Sequence, residues 1–331
     1  MNAPLVWPQP ARAPGRRGAG RFVEVGPEIL QIHALRALPD RLSAGDVLVL
    51  NDAATLPAAL RATRGGEALE LRLVGPVEGG LAEAVAIGAS PPRTPTEARP
   101  SPPLLRVGDL LELDAGVARV LRVDGRRLGL ALGARQVFEA GEPVRYSYLD
   151  ADWPLGVFQT GFGGPAWSSE MPSAGRLWTW ETLLAAQRRG VVLATLTHAA
   201  GLSSVDGGDL DRTLPWPERC SLPEATVRAV EGARRVIAVG TTVLRALEGV
   251  HARFGRLVAG EHVLDLVIGP ETHLAVVDGL VSNLHLPGSS HFELLRAFAP
   301  ADRLEAALAL AGEAGMREHE LGDGLWVWRA R

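Results

Sequence analysis

Two stretches of this chain put hydroxyls, amides and a titratable ring where a strand gives way to a loop or helix. The first is Val239-Gly-Thr-Thr-Val-Leu-Arg-Ala-Leu-Glu248. It reads as strand, glycine, two hydroxyls and helix. Gly240 lets the backbone turn tightly. The amides of the helix start and the hydroxyls of Thr241 and Thr242 make a site for a carboxylate or phosphate. Arg245 and Glu248 are three apart and share a helix face. A threonine N-cap followed by a surface ion pair has the same spacing. The second stretch is Ser282-Asn-Leu-His-Leu-Pro-Gly-Ser-Ser290. Polar side chains at the carboxyl end of a strand are where α/β proteins place ligands. There His285 is a general base or donor, or a hydrogen-bonded core residue. His285 and His291 are six apart, which is no metal spacing, so no metal is expected.

Other side chains extend the set. Glu170-Met-Pro-Ser-Ala-Gly175 is a loop before a helix, with one carboxylate, the Ser173 hydroxyl and the flexible Gly175. Gln159 and Thr160 precede it in a Gly-rich segment. His198 and Asn51-Asp52 each follow a strand. Five tryptophans between Trp153 and Trp216 offer faces for a sulfonium or purine, or simply core packing.

These residues need a frame. AGDVLVLN (44–51) is an apolar run ending in polar Asn51-Asp52, as in a buried strand. WETLLAAQRRG (180–190) reads as a helix, VVLATLT (191–197) and RVIAVG (235–240) as strands, and TTVLRALEGV (241–250) as a helix. Ser221-Leu-Pro-Glu224 and Ser290-His-Phe-Glu293 fit capping boxes opening helices to about 234 and 299. Strands are expected at HVLDLVI (262–268), LAVV (274–277), LVSN (280–283) and LWVW (325–328), with Asp278-Gly279 as a hairpin turn. ADRLEAALALAGEAG (301–315) is a helix. Between 65 and 142 short alternating runs with Gly, Pro and Asp-Gly punctuation describe a small all-β unit. Within it, 88–103 is a Pro/Ser-rich loop expected to be mobile. The fold class is therefore α/β. A barrel-like mixed α/β domain (1–62 and 143–331) is expected to be interrupted by an inserted β-barrel (63–142).

Composition sets limits. The chain has 331 residues, a formal net charge of −4 and 47% hydrophobic residues, enough for a packed core. One cysteine, Cys220, excludes an internal disulfide framework and a thiolate-rich zinc site. A reducing, cytoplasmic setting is the expectation. No apolar run reaches the roughly 18–20 residues of a membrane helix. All 34 basic residues are arginine, which excludes lysine Schiff-base chemistry and P-loop lysines. Arg12, Arg16, Arg17 and Arg21 crowd the first 21 residues without an acid. This segment is read as a Pro/Gly-rich tail packed over the domain, with a local electropositive patch for nucleic acid as the alternative.

Taken in order, AGDVLVLNDAATLPAAL (44–60), PVRYSY (143–148), FQTGF (158–162), EMPSAG (170–175), RVIAVGTTVLRALE (235–248) and SNLHLPGSSHFELLRAFA (282–299) resemble the S-adenosylmethionine:tRNA ribosyltransferase-isomerases of queuosine biosynthesis. The resemblance implies an α/β barrel-like domain carrying an inserted β-barrel. It implies transfer and isomerisation of the ribosyl part of S-adenosylmethionine onto 7-aminomethyl-7-deazaguanine in tRNA. The products would be epoxyqueuosine, adenine and methionine, with no metal. It further implies that Gly240, Thr241, Thr242 and the amides there hold an anionic group such as the methionine carboxylate. Arg245 would support that group and Glu248 would orient Arg245. His285, Glu170 and His198 are then acid/base residues, and Asn51, Gln159, Ser173, Gly175 and Asn283 bind substrate. A monomer acting on tRNA, away from membranes, is expected.

The chain departs from the family pattern. Leu177 stands at the histidine position of PTAGLHFT, and of HxMHxE only Glu218 is kept, in Thr213-Leu-Pro-Trp-Pro-Glu218. The glycine-rich stretch after the strand reads Thr197-His-Ala-Ala-Gly-Leu-Ser-Ser204. The closing aromatic segment reads Glu318-His-Glu-Leu-Gly-Asp323. Two alternatives follow: an enzyme using S-adenosylmethionine with another acceptor or merely cleaving it, and a non-catalytic S-adenosylmethionine- or RNA-binding relative.

Overall fold

A computed structural model describes residues 5–91, 93–205, 208 and 210–329. A nine-stranded mixed sheet carries the larger body. Its strand order is Gly260–Leu264, Glu218–Leu222, Val192–His198, Asp46–Asn51, Arg235–Val239, Gly279–Asn283, Gly324–Trp328, Arg21–Val25 and Leu30–Ala34. The third to sixth of these run parallel. Asp46–Asn51 is buried throughout, as a parallel strand covered on both faces must be.

The directions of the strands fix where chemistry can sit. The four parallel strands end together at His198, Asn51, Val239 and Asn283. Glu218–Leu222 runs antiparallel to Val192–His198, so its first residue, Glu218, arrives at that same edge. Gly324–Trp328 runs antiparallel to Gly279–Asn283, with Asn283 opposite Gly324, so the segment 317–323 arrives there too. Arg21–Val25 is parallel to Gly324–Trp328, which brings the N-terminal segment to the same place. One edge of the sheet thus collects chain segments that are far apart in sequence.

Helices cover the sheet through periodic apolar faces. Thr241–Phe254 buries Val243, Leu244, Ala246, Leu247 and Val250 and stops at Gly255, which takes the left-handed conformation at φ 69°. Ala301–Glu313 buries Leu304, Ala307, Leu308 and Ala311, a 3.6-residue stripe.

Six further strands form a closed antiparallel barrel: Ala59–Arg64, Glu67–Leu73, Leu81–Gly88, Arg127–Ala131, Gly116–Asp124 and Leu110–Leu113. The last pairs back onto the first through Ala62 with Leu113 and Thr63 with Glu112. The mixed α/β fold with an all-β barrel is as the sequence implies. The described residues of the Pro/Ser-rich stretch, 88–91 and 93–103, are tied to the barrel. Arg99 donates to Glu70 at 2.7 Å, Arg72 donates to Thr96 at 3.2 Å, and a side chain at Gly88 would strike the Pro100 carbonyl.

Several local expectations fail, mostly because partners distant in sequence override local signals. Asp278-Gly279 is not a hairpin turn. Residues 274–277 form no strand, because their amides bind the Glu248 carboxylate (Ala275 at 2.9 Å, Val276 at 3.0 Å, Val277 at 2.9 Å). Ser221 caps no helix: it lies inside Glu218–Leu222, paired with Thr197 and Glu261, and the helix Glu224–Glu231 starts after Pro223. The second cap is Ser289 rather than Ser290, its hydroxyl accepting from the Phe292 amide at 3.2 Å. The N-terminal segment does pack over the sheet edge, with Gln9–Pro10 parallel to Arg317–Glu318. Among the described residues no helix is long and apolar enough to cross a membrane.

Candidate active site

The strand ends are joined by Asn51. Its Oδ1 accepts from the amides of Ala53 and His198, both at 3.0 Å. Its Nδ2 donates to the His198 carbonyl at 3.0 Å and to Thr242 Oγ1 at 3.1 Å. A carboxamide has two donor hydrogens and two acceptor lone pairs, so Asn51 is fully used in fixing the loop, the neighbouring strand and the helix start. Gln159 bridges the Thr55 amide (2.9 Å) and carbonyl (2.8 Å), with one donor hydrogen and one lone pair engaged.

Gly240 has φ 93° and ψ 152°, a conformation open only to glycine, and no side chain caps the helix that follows. The first amides of a 14-residue helix therefore face the strand-end edge beside the Thr241 and Thr242 side chains. Next to them, Ser173 donates to Asn283 Oδ1 at 2.9 Å, while the buried Asn283 Nδ2 has no partner among the described residues. Gly175 is required for close packing: a Cβ there would lie 2.8 Å from Thr160 Cγ2 and 3.0 Å from Phe162 Cζ.

A buried charge pair lies behind this edge. Glu218 Oε1 accepts from the Gly201 amide at 2.7 Å, and Oε2 accepts from Arg245 Nη1. Arg245 Nε donates to the Leu266 carbonyl at 3.2 Å. Glu248 is spent on residues 275–277, so the partner that orients Arg245 is Glu218, not Glu248. The His198 ring is completely buried, 3.6 Å from Glu218 Oε2, and burial pushes its pKa down to about 4, so it is neutral at physiological pH.

The His285 and His291 rings stack at 4.4 Å. Burial, then mutual repulsion with His291 and His319, holds His285 well below the usual imidazole range. Burial, with Arg245 next, takes His291 to about 4. Glu170 moves the other way: burial raises its carboxyl and Glu218 adds to this, while the Ser203 amide, donating to Oε1 at 3.0 Å, opposes it. Glu170 is thus a stronger base than an ordinary carboxylate, and His285 a weaker base than free imidazole.

A family model described as "Queuosine biosynthesis protein" matches residues 8–327. The S-adenosylmethionine:tRNA ribosyltransferase-isomerase of Thermus thermophilus is 34% identical over 318 residues, covering 91% of this chain and 90% of that protein. The enzyme of that name from Rubrobacter xylanophilus is 33% identical over 331 residues, covering 97% and 93%. This chain belongs to the queuosine biosynthesis protein family. The crystal structure of S-adenosylmethionine tRNA ribosyltransferase from Thermotoga maritima shares the fold, with a TM-score of 0.51 and 24% identity over 98% of each chain.

Within this family member the structure adds residues to the site that residue types and spacing did not single out. His319 has φ 67°, rare for a residue with a side chain, and its ring stacks on Tyr148 at 4.6 Å. Tyr148 stacks in turn on Tyr146 at 5.6 Å, and its buried hydroxyl has no partner among the described residues. Glu318 and Glu320 flank His319, each pushed up to about 7 by burial and each with a buried Oε2 that has no partner among the described residues. The signal was an acid-histidine-acid run directly ahead of the strand Gly324–Trp328. Its importance depends on that strand running antiparallel to Gly279–Asn283.

Proposed function

We propose that this protein transfers and isomerises the ribosyl moiety of S-adenosylmethionine onto 7-aminomethyl-7-deazaguanine in tRNA. The products are epoxyqueuosine, adenine and methionine. The observation that carries this is family membership over residues 8–327, joined to a strand-end edge with an uncapped helix start and a carboxylate of raised basicity, Glu170, two residues after Ser168, whose hydroxyl donates to the His198 carbonyl.

In this reading the amides after Gly240, with Thr241 and Thr242, hold the methionine carboxylate of the donor. Arg245, fixed by Glu218, adds positive potential. The sulfonium acidifies the protons on the ribose 5′ carbon. Glu170 accepts one of them. Adenine leaves as the sugar opens to an aldehyde, its departing nitrogen hydrogen-bonded by the neutral His285 and taking up the proton from Glu170. The acceptor amine attacks the opened sugar and loses a proton, the carbanion left beside the sulfonium closes onto the aldehyde carbon, and the resulting alkoxide displaces methionine as the epoxide forms. Ser173 and Asn283 orient the sugar, and the unspent Asn283 Nδ2 donor fits that role. Asn51, Gln159, Gly175, His198 and Glu248 position other groups and do not touch substrate. None of these steps calls on a metal. We also take the chain as one discontinuous α/β catalytic unit around an inserted barrel. With the barrel's first strand at Ala59–Arg64, we draw the first boundary slightly ahead of residue 63. The protein works as a cytoplasmic monomer.

The test is mass spectrometry of products from S-adenosylmethionine and tRNA carrying the aminomethyl base, beside calorimetry of donor binding to Thr242→Ala. Epoxyqueuosine and adenine in equal amounts support the reading. Adenine release that ignores tRNA favours another acceptor, and no turnover favours a binding protein. Undiminished donor binding by Thr242→Ala removes the helix start from the pocket.

A further inference from the structure

The cavity under the N-terminal segment has a volume of about 670 Å³ and is lined by Arg12, Arg16, Arg17, Arg176 and Arg317. Among the described residues none of these five guanidiniums has a carboxylate within salt-bridge distance. The one acid on the wall is Asp323, and its two oxygens already accept from the amides of Arg21 (2.7 Å) and Arg317 (2.8 Å). Five positive charges therefore face one negative charge that is already engaged.

Arg176 makes the imbalance sharper. It is nine-tenths buried, and among the described residues its guanidinium is held by carbonyls alone, those of Val157 (3.2 Å) and Gly15 (3.3 Å). Arg17 is held likewise by the carbonyls of Gln159 (2.6 Å) and Gly156 (3.3 Å). Burial and the neighbouring Arg17 together lower the Arg176 pKa to about 10. Crowded, unpaired guanidiniums in a recess are costly unless an anion shares the space.

The cavity is also next to the strand-end edge. Arg176 belongs to the turn Ser173–Leu177, whose Ser173 holds Asn283. Arg317 and Asp323 bracket Glu318, His319 and Glu320. Two short segments thus have one side toward the site and the other toward the arginines.

We propose that this cavity is a phosphodiester-binding subsite that holds the RNA backbone beside the nucleotide presented to the strand-end site. The inference rests on the reading of tRNA as acceptor. Arginine forks suit phosphate oxygens, and the contacts position the strand without reading its sequence.

The experiment measures binding of an anticodon stem-loop RNA by fluorescence anisotropy across a salt series. It compares the full-length protein, Arg12→Ala/Arg16→Ala, and an exposed barrel control, Arg119→Ala/Arg135→Ala, of equal charge change. Both cavity positions are exposed, so folding is not at stake. Loss of two phosphate contacts lowers the log–log salt slope by about 1.4–1.8. The tRNA KM should rise about tenfold or more, with kcat and S-adenosylmethionine affinity unchanged and the control like the parent. A cavity variant that behaves as the control overturns the subsite and leaves the enzyme reading standing. Inorganic phosphate that binds the cavity without competing with RNA also overturns it, marking a free-anion site. A parent protein that turns over donor but binds no RNA defeats the choice of acceptor, and the subsite with it.

Discussion

Glu218→Gln is the substitution whose effect can be worked most fully from the structure. Glu218 and Arg245 are 8% and 9% exposed. The carboxamide keeps the shape of the carboxylate and the bond from the Gly201 amide. Its other end, however, puts a donor NH2 against the donor Nη1 of Arg245. Among the described residues Arg245 then keeps only the Leu266 carbonyl, and its Nη2 is already without a partner. Removing one member of a buried pair costs about 3–5 kcal/mol, most of it the stranded charge. Arg245→Met strands the carboxylate instead, and Glu218→Gln/Arg245→Met strands neither. Urea denaturation of the three variants and the parent forms a double-mutant cycle. The expected coupling is about 2 kcal/mol or more, with the double variant more stable than either single one. His198 provides an independent readout, since Glu218 raises its pKa and Arg245 lowers it. Its imidazole should therefore titrate higher in Arg245→Met and lower in Glu218→Gln, as followed by NMR. A Glu218→Gln protein within about 1 kcal/mol of the parent would refute the claim that this pair is a buried, mutually dependent unit.

What could be read from the chain depended on how local the cause was. The strands Asp46–Asn51, Val192–His198 and Arg235–Val239 and the helix Thr241–Phe254 carry their pattern within themselves. So does the alternation that builds the barrel. The Asp278-Gly279 signal was equally local, but it lost to Glu248, whose carboxylate captures three amides nearly thirty residues away. Glu218–Leu222 alternates buried and half-buried residues, a five-residue pattern that a capping-box reading of Ser221 obscured. At the site, His198, Asn51, Thr242 and Asn283 were legible because they follow strands. Which of them is free to meet a ligand was not. Asn51 is exhausted by partners 147 and 191 positions away, while Asn283 keeps a donor. Arg12, Arg16 and Arg17 stood out as a cluster, but the cavity they share with Arg176 and Arg317 exists only once Arg21–Val25 lies beside Gly324–Trp328.

Three further outcomes are expected. Glu248→Gln loses an ionic acceptor for the amides of residues 275–277 and should lower stability by about 2–3 kcal/mol, measured by thermal or urea unfolding. Gly240→Ala has space for the methyl group, 3.5 Å from the nearest atom, but not the dihedral. It should lose about 1–3 kcal/mol and weaken donor binding in calorimetry. The third concerns pH. The Glu320 carboxyl is pushed up to about 7 by burial from an ordinary value of 4.5. Below pH 4.5 folded and unfolded chains both hold the proton. Between 4.5 and about 7 only the folded chain holds it, so the stabilisation present at low pH is lost as pH rises through 7. His198 and His291, lowered from 6.5 to about 4, act oppositely and lose their contribution as pH falls below 6.5. Glu320→Gln keeps the neutral shape and leaves those histidines in place, so subtracting its stability curve from the parent's isolates the carboxyl. The difference should move against the parent from about pH 5 to pH 7 and then level off. A flat difference across that range would mean that Glu320 is ionised in the folded protein, and with it the case for an acid–histidine–acid segment inside the site would fall.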